Sequence, residues 1–292
     1  MLVSCDICLS TKTYKLLTVN NKFNLYRCRF CRTVFVFPKP SRFDVSQYNK
    51  NRYSYSEEQS RAYLAKEQIL RDRAKKCIDT ILKYKENGYL LDIGCSYGFY
   101  LHEFKKKGFN VKGIDPAIKA IRYARKKLHL DVIHSDFYNY DFRGNRYDIV
   151  ILIDVIEHFL NPQEAIIKIK KILKKDGVLV IQTPNYESLM SILTYNKWFW
   201  LLIPEHLHLF NPYSISYFLN INGFKLLKIK TWDDFDEFIK NILFVLKLKN
   251  KGKTKYLYFF LYYLLYIFYP FSLVWSIILL GSEIELYARR EK

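Results

Sequence analysis

Apolar positions change period several times between residues 60 and 182 of this chain. They recur at helical spacing over 60–85, after which Asn87-Gly88 supplies a stop signal. Beyond that point, short apolar runs predict strands at Tyr89–Ile93, 109–114, 130–134, Tyr147–Ile153 and 178–182. Amphipathic stretches between the runs predict helices at 99–107, 117–128 and 163–174. This alternation predicts an α/β fold of right-handed βαβ units, in which helices cover both faces of a mainly parallel sheet.

Four of the six cysteines form two Cys-x2-Cys knuckles. Cys5 and Cys8 make one pair, and Cys28 and Cys31 make the other after 19 intervening residues. Each pair puts two thiolates on one tight turn, and two such turns can complete a tetrahedron around Zn²⁺. Four cysteine ligands leave no open coordination position, so the metal is expected to hold structure and not to do chemistry. The sequence therefore predicts a small zinc ribbon over 1–45.

The strong positive charge of the chain suggests several classes of binding partner. The net charge is +19, which predicts attraction to polyanions such as nucleic acid, an anionic membrane surface or a phosphorylated substrate. A lysine-rich coding bias would spread the same charge over every solvated face, and this alternative stays open. Half of the residues are hydrophobic, which excludes a disordered chain. The first ten residues lack the basic and apolar regions of a signal peptide, so we expect a cytoplasmic protein.

Ligand chemistry in an open α/β sheet is expected at the carboxyl ends of the strands. There the first strand runs into Asp92-x-Gly94-x-x-x-Gly98, and the second strand is followed by Asp115. Glycines let a backbone approach a ligand, and an acid after the second strand can accept hydrogen bonds from both ribose hydroxyls. The loop lacks the G-x-G-x-x-G of dinucleotide dehydrogenases, and Asp92 would repel a pyrophosphate. S-adenosylmethionine fits better because it has an adenosine, no phosphate and a cationic sulfonium.

Six blocks carry a resemblance to a known family. In order they are LLDIGCSYG, VKGIDP, HSDF, YDIVILIDVIEHFLNP, LKKDGVLVIQTPN, and PEHLHLFNP followed by NGF. From residue 89 to about 224, the chain resembles a class I S-adenosylmethionine-dependent methyltransferase, here with an N-terminal zinc ribbon. The resemblance implies a Rossmann-like, seven-stranded sheet whose last two strands form an antiparallel hairpin. It also implies donor-binding residues: the methionine part of the donor lies near Asp92, Gly94 and Gly98, the ribose near Asp115 and the adenine amino group near Asp136.

Methyl transfer needs aligned reactants and, for many acceptors, a base that removes a proton. In the resembled fold, Asp154, Glu157 and His158 follow the fourth strand and face the donor's sulfonium. A similar Glu-His pair in quinone-precursor O-methyltransferases implies that these residues are also candidate ligands for a divalent ion. Glu205-His206 is similar to the Glu-His pair of zinc-ribbon-bearing sugar C-methyltransferases, in which the histidine is the proposed base. We therefore predict His206, Glu205 and His158 as catalytic residues and Asp154 as part of the donor site.

The resemblance divides the chain into three parts. They are a zinc ribbon (1–45), a helical connector (46–88) and a methyltransferase domain (89–292) with a hydrophobic helical insertion (235–281) before the last strand. A small-molecule, sugar or lipid-linked glycan acceptor is favoured. An RNA acceptor held by the basic ribbon is the alternative, although IDVIEH replaces the Asn-Pro-Pro-aromatic signature or catalytic cysteine of many RNA methyltransferases. A non-catalytic zinc-ribbon adaptor would have no reason to keep a donor pocket. The acceptor atom and the oligomeric state stay open.

An uncharged run from Tyr256 to Leu280 is long enough to cross a bilayer. The resembled fold pairs a sixth strand, 224–231, with a seventh, 282–289, and a single crossing between them would put these partners on opposite sides. Pro270 splits the run into segments too short to span as helices, and basic residues flank both ends. We therefore expect a helical hairpin that lies peripherally on the inner face of the membrane and attracts anionic lipid. An internal helix pair and an oligomer interface are the alternatives.

Overall fold

The computed structural model of the protein describes residues 3–19, 22–41, 56–142, 144–233, 235–246, 255–268 and 272–291. Its strands are β1 (Thr13–Val19), β2 (Phe23–Cys28), β3 (Val34–Phe37), β4 (Tyr89–Ile93), β5 (Asn110–Asp115), β6 (Val132–His134), β7 (Tyr147–Ile153), β8 (Leu173–Pro184), β9 (His208–Leu209), β10 (Phe224–Trp232) and β11 (Glu283–Arg290). Its helices are α1 (Glu57–Leu64), α2 (Glu67–Ile81), α3 (Phe99–Lys106), α4 (Ile118–Leu128), α5 (Pro162–Ile172), α6 (Leu189–Thr194), α7 (Pro212–Ile221), α8 (Phe235–Val245), α9 (Lys255–Phe268) and α10 (Ser272–Ile277). Short 3₁₀ turns occur at Ile156–His158 and Tyr195–Lys197.

The larger sheet has seven strands in the order β10-β11-β8-β7-β4-β5-β6. Neighbouring strands from β8 to β6 are parallel, whereas β11 runs antiparallel to both β8 and β10. The predicted mainly parallel sheet with a final antiparallel hairpin is therefore confirmed. Because the parallel strands end at the same edge, the loops after β4, β5, β6 and β7 come together there.

Helices cover both faces of this sheet, as predicted. On one face, a core forms from buried residues of α2, α3 and α4, including Ala74, Leu101 and Ala120. On the other face, α5 and α7 bury Ile166 and Phe218 in a second core, which also contains the N-terminal cysteines. The two central strands, β4 and β7, are mostly apolar, as expected for strands buried on both sides.

The connector before β4 differs from the single helix predicted over 60–85. It consists of two helices, α1 and α2, with α1 begun by a capping box at Ser56. The described residues of α1 include none that are buried, whereas α2 buries one face against the sheet. The break lets Tyr63 at the end of α1 stack on Tyr97, 5.1 Å between ring centroids, and on Phe99. α2 packs on the sheet, whereas α1 contacts the loop after β4. The two helices therefore run in different directions, and one straight helix could not make both contacts.

The ribbon contributes three antiparallel strands to a second sheet, and the fourth strand of that sheet comes from far along the chain. Its order is β1-β2-β3-β9, with Phe35 paired to His208 and Val34 to Leu209. Val36 N–H also donates to the carbonyl of Leu207 at 3.0 Å. The ribbon is therefore joined by backbone hydrogen bonds to the segment that directly follows the predicted catalytic Glu205-His206.

Helices α6, α8, α9 and α10 pack together beside the β10–β11 hairpin, and we call this group the helical cluster. Its small core contains Met190, Ile239 and Leu243, with Trp275 packed against it. Asp233, at the end of β10, accepts hydrogen bonds from Trp275 Nε1 at 2.7 Å and from the backbone of Ser282 at 3.0 Å. These bonds join the cluster to the sheet.

The lengths of the helices bear on whether the chain crosses a membrane. Among the described residues, the structure contains no helix that is both long enough and apolar enough to cross a bilayer. Pro270, the predicted break in the uncharged run, lies outside the described residues.

Candidate active site

A cavity of about 880 Å³ lies at the carboxyl ends of β4, β5 and β7. All the predicted donor-binding residues except Gly98 line it, namely Asp92, Gly94, Asp115, Asp136 and Asp154. The three predicted catalytic residues line the same cavity, namely His158, Glu205 and His206. Sequence positions more than a hundred residues apart are thus brought to one space, in which a donor and an acceptor can meet.

Backbone conformation and close packing require glycine at both positions of the first loop. Gly94 has φ 79°, and a Cβ there would lie 2.4 Å from Cγ2 of Val155. Gly98 has φ 81° and begins α3, and a Cβ there would lie 2.6 Å from Cδ1 of Leu130. Side chains at both positions would therefore be strained and would clash. Gly98, predicted to surround the donor's methionine part, is not among the residues that line the cavity, and it starts α3.

Asp115 organises the loop after β4. Its Oδ2 accepts from the backbone N–H of Ser96 at 2.8 Å, and its Oδ1 accepts from that of Ala117 at 2.7 Å. Ser96 has φ 46°, a left-handed conformation that non-glycine residues rarely adopt. A carboxylate has about four lone-pair sites, so it can accept more hydrogen bonds than these two.

Asp92 is buried beneath this loop. Burial, and after it the nearby carboxylate of Asp115, raises the pKa of Asp92 well above its usual range. A cation in the cavity would favour the ionised forms of both acids. Together with Asp136 and Asp154, these carboxylates fit a ligand that carries positive charge and no phosphate. That is the chemistry of S-adenosylmethionine.

Two histidines face each other at the other side of the cavity, with 4.8 Å between their ring centroids. His158 Nδ1 lies 2.9 Å from the carbonyl oxygen of Glu205, and His206 Nδ1 lies 2.8 Å from that of Trp200. A carbonyl oxygen can only accept, so these bonds assign the proton of each neutral ring to Nδ1. Nε2 is then the basic nitrogen of both rings.

Glu157 lies beside these histidines and is almost fully buried. Its Oε2 accepts from the hydroxyl of Thr183 at 2.9 Å, and its Oε1 lies 3.8 Å from Nε2 of His158. Potential ligand atoms of Glu157, His158 and His206 all lie within 4.8 Å of one another. Two imidazoles and one carboxylate are a donor set suited to a divalent transition metal. The sequence grouped Asp154 with Glu157 and His158, whereas the structure supplies His206 as the third member.

The four knuckle cysteines also converge. Sγ atoms of Cys5 and Cys31 are 3.4 Å apart, and those of Cys8 and Cys28 are 3.5 Å apart. Thiolates bound tetrahedrally to Zn²⁺ at about 2.3 Å lie roughly 3.8 Å from one another, close to this spacing. Without a cation, the hydrogen bond between Cys5 and Cys31 raises the pKa of Cys5 and lowers that of Cys31 to about 5. The donor set and its spacing fit zinc.

The ribbon holds the segment that follows Glu205-His206 by side chains as well as by backbone. His208 Nε2 lies 3.0 Å from the carboxylate of Asp6, a residue inside the first knuckle. The other carboxylate oxygen of Asp6 lies 2.9 Å from Nζ of Lys39. On the opposite side, the N–H of Leu207 donates to the carbonyl of Glu157 at 2.8 Å. The chain next to His206 is therefore fixed between the ribbon and the Glu-His turn after β7.

A sequence-family model described as a methyltransferase domain matches residues 68–229, just over half of the chain. The chain belongs to this family. The six ordered blocks thus predicted the methyltransferase family correctly.

Individual relatives of this methyltransferase are distant. A ubiquinone biosynthesis O-methyltransferase of Glaesserella parasuis serovar 5 is 29% identical over 159 residues, which are 50% of this chain and 64% of the relative. An uncharacterized protein of Methanocaldococcus jannaschii is 31% identical over 153 residues, which are 51% of this chain and 62% of that protein. The chain thus spans about three fifths of the length of these relatives.

Solved structures show the same fold. A SAM-dependent methyltransferase of Archaeoglobus fulgidus superposes with a TM-score of 0.54 at 20% identity, covering 78% of this chain and 99% of that one. At this identity, the similarity concerns the fold alone.

Some residues that line the cavity were not predicted from the sequence. Trp200 and Leu202 line the cavity beside His206, and Tyr63 lines it from α1. The stretch KWFWLL, separated from PEHLHLF by Ile203 alone, is an unusually aromatic loop, and that composition was the available signal. Tyr63 carried no comparable signal because its contact depends on the break between two helices.

We predict that Asp115→Ala lowers the affinity for S-adenosylmethionine by roughly 2–4 kcal/mol, since two charge-assisted ribose bonds are lost with partial replacement by water. Calorimetric titration measures this directly. Asp131→Ala is the control, because Asp131 is an exposed acid outside the cavity that lies 3.4 Å from Lys112. Equal affinity in wild type and Asp115→Ala would contradict the ribose assignment.

We also predict that Asp92→Asn stabilises the ligand-free protein at neutral pH while weakening donor binding at least tenfold. A carboxyl whose pKa is raised on folding contributes stability below its unfolded value near 3.9, and this contribution is lost as pH rises toward the folded value. The Tm difference between variant and wild type should therefore grow as pH rises from about 4 to neutrality. Thermal unfolding at several pH values, with Asp131→Asn as control, measures this. A variant less stable than wild type at neutral pH would refute it.

Proposed function

We propose that the protein transfers a methyl group from S-adenosylmethionine to a small-molecule, sugar or lipid-linked glycan acceptor beside a membrane. One observation carries this proposal: a cavity lined by carboxylates at one side has two oriented histidines at the other. The donor supplies a methyl carbon that its sulfonium already activates for in-line displacement. The protein then has to hold both reactants in line and remove a proton where the acceptor requires it.

His206 is the proposed base. Its Nδ1–H bond to Trp200 and the stacking of the Trp200 indole on its ring, at an interplanar angle of 20°, fix the orientation of the imidazole. Nε2, the basic nitrogen of this tautomer, is the atom that we propose takes the acceptor's proton, which leaves an imidazolium. His158, held by the carbonyl of Glu205, and the buried carboxylate of Glu157 lie close enough to stabilise that positive charge.

Support for a small acceptor over RNA comes from the basic residues of the ribbon. Arg27 forms an ion pair with Glu187, the Arg29 guanidinium lies 5.0 Å from the ring centroid of Tyr14, and that of Arg32 lies 4.7 Å from the ring centroid of Tyr213. These arginines are engaged within the protein, which reduces what the ribbon can offer to phosphates. The name of the Glaesserella parasuis relative, an O-methyltransferase of ubiquinone biosynthesis, also favours a small acceptor.

A structural Zn²⁺ held by Cys5, Cys8, Cys28 and Cys31 is the second part of the proposal. The knuckle backbone supports thiolate ligands, because the N–H of Ile7 points to Sγ of Cys5 and that of Phe30 to Sγ of Cys28. Zinc would hold β3 in position to pair with β9. The metal would thus support His206 indirectly, without taking part in chemistry.

We predict that His206→Ala lowers methyl transfer about 10²- to 10⁴-fold, the usual contribution of a positioned base, and leaves donor binding unchanged. The assay uses labelled S-adenosylmethionine with separate nucleotide-sugar, lipid and RNA fractions of the host. His102→Ala is the control, because His102 lies outside the cavity lining.

Three outcomes of this experiment are decisive. Near-normal turnover in His206→Ala would make the histidine structural. Labelling of the RNA fraction alone would replace the proposed acceptor by the alternative. Loss of wild-type activity on chelation, restored by a divalent ion while the knuckle zinc stays bound, would assign His206 to the metal set with Glu157 and His158.

We predict one Zn²⁺ per chain, measured by elemental analysis of protein purified under reducing conditions. Cys28→Ser should lose the zinc and weaken hydrogen-exchange protection of the Val36 amide, which bonds to Leu207. Cys77→Ala should keep the zinc, since Cys77 is buried in α2, away from the knuckles. Protein that folds normally without bound zinc would contradict the prediction.

A further inference from the structure

We propose that the outer surface of the helical cluster docks on an anionic bilayer and that the His206 side of the cavity opens next to it, so that a lipid-borne acceptor enters from the membrane. This inference rests on the proposed function and deepens it. It assigns a surface that includes helices outside the uncharged run, and it gives the acceptor a direction of approach.

The apolar exposure of α9 and α10 is the first observation. Tyr256, Tyr263 and Ile277 are 86%, 68% and 80% exposed, and Phe260, Val274 and Ile278 are also exposed. Isolated exposed apolar residues are ordinary, but a concentration on adjoining helices marks an interaction site. These helices also place other apolar residues against the core of the cluster, so they are packed on the protein while these side chains stay exposed.

Helices α6 and α8 of the same cluster also expose apolar residues, and both lie outside the uncharged run. Leu193 in α6 is 69% exposed and Phe244 in α8 is 56% exposed, and their neighbours Ile192 and Leu246 are exposed as well. α6 packs on α8 through the core residues Met190 and Leu243, which makes these residues part of the same cluster.

One segment, 195–202, connects the cluster with the active site. It begins at the end of α6 with Tyr195, which is exposed, and the N–H of Phe199 donates to the side chain of Asn241 in α8 at 2.9 Å. It ends at Trp200 and Leu202, which line the cavity. Trp200 also holds His206 through its carbonyl. The wall of the cavity nearest the proposed base is thus continuous with the cluster.

Charge selects a bilayer as the occupant of this surface. From residue 238 to 282, the sequence contains no Asp or Glu, and it has lysines at 240, 247, 249, 251, 253 and 255. Anionic lipid complements these lysines. Among the described residues, Lys255 begins α9 and is exposed, next to the exposed Tyr256. Exposed tyrosines beside aliphatic residues also suit the interface between headgroups and acyl chains.

The test uses the full chain and sedimentation with phosphatidylcholine vesicles, prepared with or without phosphatidylglycerol. Wild type should bind the vesicles that contain phosphatidylglycerol. The double variant Ile192→Ser/Leu193→Ser, outside the uncharged run, should bind them at least tenfold more weakly. The matched control is Ile167→Ser/Ile221→Ser, which changes two exposed apolar residues on α5 and α7. Equal binding of the two double variants would overturn the assigned surface.

Two further readouts separate the possible failures. S-adenosylhomocysteine titration should give the same affinity in wild type and in both double variants, which verifies the fold. Absence of that binding in wild type would defeat the proposed function and leave vesicle binding as an independent result. Wild type that ignores vesicles but forms dimers in sedimentation velocity would overturn the membrane proposal in favour of self-association.

Brominated lipids test the direction of approach. Bromine quenches nearby indoles, so part of the quenching on vesicles should come from Trp200, and Trp200→Phe should lower it. Unchanged quenching in that variant would overturn entry from the membrane.

Discussion

The antiparallel pairing of Phe35 with His208 is the interaction on which the site depends. Through it, a ribbon built near the start of the chain fixes a two-residue strand that comes much later in the sequence. His206 lies two residues before that strand, and Leu207 between them bonds to both sides, through its carbonyl to Val36 and through its N–H to Glu157. An enzyme base must be held in place by its surroundings, since a small displacement costs much of its effect. For His206, the proposed base, the ribbon supplies part of that support.

On the donor side of the cavity, the buried carboxylates lower the stability of the ligand-free protein. Asp92 and Asp115 are both buried, and their mutual repulsion is part of what raises the pKa of Asp92. A neutral isostere would suit the empty protein better. The arrangement makes sense only if a cation completes it, so the strain points to the ligand more directly than any single hydrogen bond. Buried carboxylates with shifted pKa values cluster at functional sites for this reason.

Much of the central sheet could be predicted because its strands are continuous apolar runs. Tyr89–Ile93 and Tyr147–Ile153 have the predicted bounds, and the acids that end the strands follow from them. The local sequence pattern does not predict β9 or the break between α1 and α2. β9 is too short to have a period, and its side-chain contact, His208 to Asp6, joins residues 202 positions apart. The division of the predicted helix 60–85 depends on the contact of Tyr63 with Tyr97, which likewise exists only after folding.

The helical cluster is largely built in the connection between β10 and β11, two strands that pair directly. Their ladder runs up to Trp232 opposite Glu283, so the ends of the connection are already neighbours in the sheet. The entropic cost of closing such a connection grows only slowly with its length. Evolution can therefore lengthen, shorten or replace this segment while the catalytic framework stays intact. A segment placed in this way can change what the fold binds outside the site without altering the strands that position the site.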